Sequence, residues 1–318
     1  MAIAWAQDQS NFIADKVFPT VPVLKESDLF AIYKKGAFFR DELKPRPLGG
    51  RPAQIGYEVE HGRYHCTEWS AEHPIDDRVR ANADQPLDPD LASMRLLTGQ
   101  ALIRREKLWV NQFFKTGVWS FDWTGKAKAT AKEEEEKRWF AFFDAEENPT
   151  NPIEFFDQRR IDIASKTGRK PNTIVLGVDA FRVIKNHPAV IDRIKYTQRG
   201  IVTEQILAEL FDVKQVLVPF GVINSAAEGL TDSIDFLVGR KSALMVYAAP
   251  NPSIEEPSGG YTFAYTGLIP GLTNAFGGVI ERGREALAHS DIIQIRAAYD
   301  VQITAADLGE YFSECVQG

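Results

Sequence analysis

DPDLASMRLLTGQALIRREKLWVNQFFKTG, residues 88–117, is the stretch on which the reading of this chain turns. Asp88 has the side chain of an N-cap, Pro89 suits the first helical position, and Asp90 sits where the helix dipole favours negative charge. From there to about Lys115 there is no proline and a single glycine, Gly99. Leu91, Met94, Leu97, Ala101, Leu102, Leu108, Trp109, Phe113 and Phe114 keep to spacings of three and four for much of the way. Lys115-Thr116-Gly117 supplies a basic end and a glycine stop. At about 1.5 Å per residue the helix is roughly 40 Å long, more than most compact domains need. It reads as a spine.

Upstream, residues 1–45 mix short apolar groups (Phe12-Ile13, Val17-Phe18, Val21, Val23-Leu24) with Pro19 and Pro22 and keep no period. Leu29 to Tyr33 can form one short strand. Such a stretch is either an extended arm that buries its side chains elsewhere or a plain N-terminal strand and loop on its own domain, and the residues alone favour neither. Residues 53–70 read as a hairpin: Ile55, Tyr57 and Val59 alternate with polar residues, His61-Gly62 can turn, and Tyr64, Cys66 and Trp69 follow. A lone two-stranded hairpin is marginal in water, so it needs a partner surface.

Downstream, Trp119, Phe121 and Trp123 precede a charged block, Glu133 to Glu136 among lysines, which reads as a solvated face. Asn151-Pro152 opens a helix that stops at Thr167-Gly168. From Pro171 the pattern becomes an α/β unit, with a strand at Thr173–Gly177 and helices capped by Asp179 and Thr203. His187-Pro188 breaks the first of these helices. Further strands are expected at 216–218, 235–238, 242–248 and 261–265, and a long one at 291–303.

Composition sets bounds on function. The 318 residues are 44% hydrophobic and 25% charged, with 44 acidic against 37 basic side chains and a net charge of -7. Disorder and rod-like repeats are excluded, and a general nucleic-acid binder is disfavoured because it carries a basic field. Two distant cysteines make no disulfide framework and no zinc spacing. The first ten residues lack a secretory signal, and the uncharged stretch Pro257–Ile280 is too rich in glycine and threonine for a membrane helix. A soluble intracellular protein is expected.

No catalytic constellation is found. There is no glycine-rich phosphate loop, no G-x-S-x-G elbow and no H-E-x-x-H. His61, His65 and Cys66 are close in sequence, but neighbours on a strand point to opposite faces and no fourth ligand is spaced for zinc. Asp76-Asp77-Arg78-Val79-Arg80 fits salt bridges better than acid/base work. The expectation is no enzyme, no cofactor and no metal.

The order of elements resembles the major capsid proteins of tailed bacteriophages, the fold type named for phage Hong Kong 97. Leu48-Gly49-Gly50-Arg51-Pro52-Ala53 with Ile55-Gly56-Tyr57 is similar to the start of that family's extended loop, and Pro74 to Asp84 to its return to the spine helix. Arg169 to Thr173, Phe181, Asn186-His187-Pro188 and Asp192 to Tyr196 resemble the opening of the axial domain. Val222 to Gly229 and Ser258 to Phe263 fit the same pattern. The resemblance implies an α+β chain: an N-terminal arm (1–45), an extended β-hairpin loop (46–87), a peripheral domain with the spine helix and a β-sheet (88–170), an α/β axial domain (171–285), and a return to the peripheral domain (286–318).

The function so implied is that of a coat subunit, which assembles as pentamers and hexamers into an icosahedral shell around double-stranded DNA. Its partners would be copies of itself, with portal, scaffolding and decoration proteins. DNA would be enclosed without sequence-specific binding, no membrane would be involved, and the product would be a virion assembled in the host cytoplasm. No fused scaffolding segment is evident. The resemblance puts Phe12, Val17 and Phe18 of the arm, and Tyr57, Trp69, Arg78 and Arg80 of the loop, at contacts between subunits. Deleting residues 1–24 should then leave the subunit folded. An encapsulin-like nanocompartment shell is the alternative, and a cytosolic α/β enzyme a more distant one.

Overall fold

The computed structural model describes residues 7–83, 88–127, 137–195, 201–251, 253, 256–267 and 278–317. The block Glu133–Glu136 and residues 268–277 lie outside them. The chain opens with α1 (Ala14–Val17), β1 (Thr20–Val23), β2 (Ser27–Tyr33), α2 (Lys35–Phe38), β3 (Val59–His65), β4 (Thr67–Asp76) and α3 (Asp77–Ala81), ahead of the spine helix α4 (Pro89–Phe113). Then come β5 (Phe121–Lys126), β6 (Lys137–Ala141) and α5 (Pro152–Thr167). The α/β segment holds β7 (Thr173–Leu176), α6 (Val178–Lys185), α7 (Pro188–Ile194), α8 (Glu204–Leu210), β8 (Gln215–Leu217), β9 (Val222–Asn224), β10 (Ile234–Phe236) and β11 (Ala243–Val246). The last strands are β12 (Gly260–Tyr265), β13 (Gly278–Glu285), β14 (Ser290–Ile303) and β15 (Gly309–Ser313). Among the described residues no helix is long and apolar enough to cross a membrane.

The spine forms for the local reasons its sequence gives. The Asp88 carboxylate accepts from the N–H groups of Asp90 and Leu91, and Pro89 occupies the first turn. The 25 helical residues span about 37 Å. Asn151, His187 and Thr203 likewise cap α5, α7 and α8 with their side chains. Asp179 does not cap α6. The N-cap is Gly177, and the N–H groups of Asp179 and Ala180 donate to the Arg240 carbonyl at 3.0 and 3.2 Å. A Cβ at Gly177 would stand 2.3 Å from the carbonyl oxygens of Gly239 and Arg240, so only glycine allows that approach.

Two large sheets organise the molecule. In the first, β14 is central: β12 and β13 pair with it on one side, β4 on the other, and β1 adds in parallel to β12. The spine packs on this sheet through Leu97, which joins Ile75 and Ile293 in one cluster. In the second, the order is β6-β5-β15-β11-β7-β8. Its strands β7 and β11 are buried on both faces, which is why they read as unbroken apolar runs. Ile174, Leu176, Ala243 and Met245 face a core shared with α5 to α8, while Val175, Leu244 and Val246 face the end of the spine.

Strand pairing groups the chain differently from the expected limits 88–170, 171–285 and 286–318. Residues 121–167 join the second sheet and its core rather than the spine's sheet, because Trp123, Phe140, Phe156 and Ile163 pack with the α/β strands. Conversely, β12 and β13 leave the α/β segment for the first sheet. The final segment divides: β14 belongs to the first sheet and β15 to the second. Strand pairing overrides sequence order in each case.

Candidate intersubunit surfaces

A two-stranded ribbon is present, but its strands are not those the alternation suggests. Val59–His65 is one continuous strand with no turn at His61-Gly62, and it pairs antiparallel with Ser27–Tyr33. Residues 34–58 form the connection. Gly62 lies opposite Phe30, and a Cβ there would meet the Phe30 ring at 2.3 Å. The glycine therefore makes room for a cross-strand aromatic instead of a turn. The boundary drawn at residue 45 accordingly cuts through the ribbon.

The base of this ribbon is anchored and its far end is bare. Phe30 and Tyr64 pack on Phe263 at centroid distances of 5.4 and 4.7 Å, beside buried Val21, Val23 and Cys66. At the other end Tyr33, Phe38 and Tyr57 form a triangle of rings with centroids 5.4–6.1 Å apart. Those three remain 44%, 60% and 62% exposed, and Leu43, Leu48 and Ile55 in the connection are exposed as well. A contiguous apolar patch on a two-stranded ribbon is what an interaction surface looks like.

Of the residues expected at contacts, Tyr57 lies in this patch. Arg78 is exposed, with Asp76 its nearest acid at 3.7 Å. Trp69 on β4 is half-buried under the Arg104 guanidinium, 3.6 Å from the ring centroid. Arg80 is held inside the subunit by ion pairs to Asp90 and Asp291, and Arg284 extends that network to Asp77 at 2.6 Å. Phe12, Val17 and Phe18 are the clear correction. They are 3%, 2% and 1% exposed within their own chain. Phe18 packs on Phe113 with centroids 4.6 Å apart, and Trp119 lies beside both. The N-terminal segment is core, and its lack of period reflects a fit to distant rings rather than to a neighbour.

A second surface was not read from the sequence. An open groove of about 1160 Å³ runs along the outer side of the spine, lined by Val79, Leu91, Leu96, Arg95 and Gly99 among others. Leu91 and Leu96 are 40% and 51% exposed, although Leu91 keeps to the apolar spacing of the helix. Sequence period finds an apolar stripe but not its width, and here the stripe continues past the sheet onto the open face.

The ionisable groups inside the subunit shape its stability. Glu106 on the spine and Glu310 on β15 are each 1% exposed. Burial pushes both carboxyls up to about 7, opposed at Glu106 by N–H groups of Ala14 and Ile13 and at Glu310 by Arg159 and a 3.0 Å bond from Trp123 Nε1. Both folded-state values lie above the ordinary 4.5. Their protonation therefore stabilises the fold fully below about pH 4.5, and the benefit is lost as pH rises to about 7. The subunit should resist denaturant better at pH 5.5 than at pH 8.0, by about 1–3 kcal/mol for each carboxyl. Equal midpoints in urea melts at the two pH values would overturn this. Cys66 and Cys315 are buried, and burial pushes both thiols upward, Cys66 to about 12. His65 is exposed beside buried Cys66, and among the described residues no three His, Cys, Asp or Glu side chains are placed to hold a metal.

No known family profile matches the sequence. Over 276 residues the chain is 26% identical to the major capsid protein of Burkholderia phage BcepMu, covering 83% of this chain and 82% of that one. It is 24% identical to the major capsid protein of Pseudomonas phage JBD67, covering 99% and 95%. Among solved structures, a phage-related protein from Bordetella bronchiseptica superposes with a TM-score of 0.71 at 20% identity, covering 98% of this chain and 94% of that one. The capsid of cyanophage P-SCSP1u gives 0.61 at 9% identity, covering 98% and 90%. An encapsulin from Synechococcus elongatus gives 0.53 at 9%, covering 99% and 91%. Along nearly its whole length, then, this chain is similar in sequence to phage major capsid proteins and shares the fold of phage capsid structures, the type named for phage Hong Kong 97.

Proposed function

We propose that the chain is the major capsid protein of a tailed bacteriophage, a structural subunit that assembles as pentamers and hexamers into an icosahedral shell around double-stranded DNA. What carries the reading is the bare apolar end of the β2–β3 ribbon, in a chain whose curated relatives over 83% and 99% of its length are phage major capsid proteins. The ribbon end would lie on a neighbouring subunit along the spine groove, where Val79, Leu91 and Leu96 are open and Arg78 lines the wall. The first sheet with the spine serves as the peripheral domain, and the second sheet with α5 to α8 as the axial one. Repeating many such contacts around a closed shell gives strength without one large interface. The net charge of -7 suits an enclosing wall that does not grip phosphate.

Portal, scaffolding and decoration proteins are the further partners this reading implies, with assembly in the host cytoplasm and the virion as the destination. A nanocompartment shell shares the fold at a TM-score of 0.53, so shape does not separate the two. The identity of the sequence relatives favours the phage. Purified protein examined by electron microscopy should yield uniform megadalton particles, and native particles should hold DNA and one portal. A sharp monomer or dimer at high concentration would sink both shell readings. Portal-free particles filled with an enzyme would select the compartment.

A further inference from the structure

Glu106 lies on the buried side of α4, and its carboxylate faces backbone rather than solvent. The N–H of Ile13 donates to Oε2 at 3.1 Å, and the N–H of Ala14 donates to the same oxygen at 2.8 Å. Oε1 receives only a longer contact of 3.3 Å from Ile13. One oxygen thus carries both good hydrogen bonds, and the other is left to take a proton. The surrounding cluster is apolar, with Ile13, Val17, Phe18, Trp109 and Phe113. The charged groups that face the carboxyl are Asp15 from α1, which disfavours ionisation, and Arg105 from the spine itself, which favours it. Tyr299 on β14 faces Arg105 in turn.

We propose that Glu106 is a proton-operated clasp between the spine helix and residues 12–18: protonated, it holds the segment in place, and its ionisation loosens that segment. The physical reason is desolvation. An ionised carboxylate gains from two N–H donors but loses its water, and here burial outweighs the donors and holds the group at about 7. Once the segment lifts, the carboxylate meets water and returns towards 4.5. Lifting therefore releases a proton at any pH between those values, and becomes easier as pH rises through that window.

The segment also connects elsewhere. The Gln7 side-chain amide both donates to and accepts from the backbone of Val222, at 2.8 and 2.9 Å, and the Phe220 N–H donates to the Asn11 carbonyl at 3.2 Å. The clasp thus sits at one end of a strut whose other end holds the β9–β10 hairpin. It belongs to a single subunit and does not rest on shell assembly.

Hydrogen exchange of the full chain, corrected for intrinsic rates and followed by mass spectrometry from pH 5 to 8.5, tests the clasp. In the wild type, opening of the peptide covering residues 12–18 should rise on the order of tens-fold between pH 5 and 7, then level off. The core peptide at 173–176 should change less. In Glu106→Gln, which keeps an acceptor oxygen without a titratable proton, the rise at 12–18 should vanish. A flat wild-type profile, or an equal rise in wild type and variant, would overturn the proposal. If the variant fails to fold, the wild type alone decides: an equal rise at 12–18 and 173–176 marks global loosening and refutes a local clasp.

Discussion

Subunits carrying Phe38→Asp together with Tyr57→Asp should fold as the wild type does and fail to assemble. Both rings stand in the bare triangle at the end of the ribbon, 60% and 62% exposed, so charging them costs the isolated subunit little. On a neighbour the same rings would be covered. Burying such a side chain is worth roughly 1.5–3 kcal/mol, and leaving a carboxylate unpaired in the contact adds to the loss. Two substitutions therefore remove about 3–6 kcal/mol per contact, a factor of about 10²–10⁴ in association. Size-exclusion chromatography with light scattering should show the variant as free subunits or small oligomers where the wild type gives particles. Thermal melting of the two subunits should agree within a few degrees. Normal particles from the variant would remove the ribbon end from the assembly interface.

Deleting residues 1–24 should destroy the fold, the reverse of what an arm lying on a neighbour would give. Ile13, Val17, Phe18, Val21 and Val23 are each no more than 5% exposed in their own chain, and β1 is an edge of the first sheet. At roughly 1.5–3 kcal/mol apiece, five such side chains contribute about 7–15 kcal/mol. That is comparable to the whole stability of a typical domain, about 5–15 kcal/mol. The truncated chain should lack a cooperative melt by circular dichroism. The point variant Phe18→Ala should remain folded but lose about 3–5 kcal/mol in denaturant melts. A truncated subunit that melts cooperatively near the wild-type temperature would return the segment to the role of a free arm.

What could be read in advance follows the range of the forces involved. The spine was legible because its signals are local: Asp88, Pro89 and the spacing of Leu97, Leu102, Trp109 and Phe113 all act within the helix. The strands at 173–176 and 243–246 were legible because burial on both faces leaves an unbroken apolar run. The ribbon was misread because Val59–His65 finds its partner at Ser27–Tyr33, across a connection that carries no pattern of its own. The N-terminal segment stays open between an arm and a strand on its own domain for a similar reason. Its burial is set by Phe113, Trp119 and the Glu106 carboxylate, about ninety to a hundred residues away. Of the bare triangle only Tyr57 stands out in the sequence, because Tyr33 and Phe38 join it only once the two strands pair.

The position of β15 carries a consequence for how the protein is made. This strand follows β5 by more than 180 residues, yet it is wedged between β5 and β11 in the middle of the second sheet, parallel to one and antiparallel to the other. Until residues 309–313 have left the ribosome, that sheet is two separate fragments with facing open edges. A nascent chain must therefore be shielded from pairing with its neighbours on the same messenger, and a prematurely terminated one has no finished body to contribute. In a structure built from many identical parts, one defective part spoils the whole.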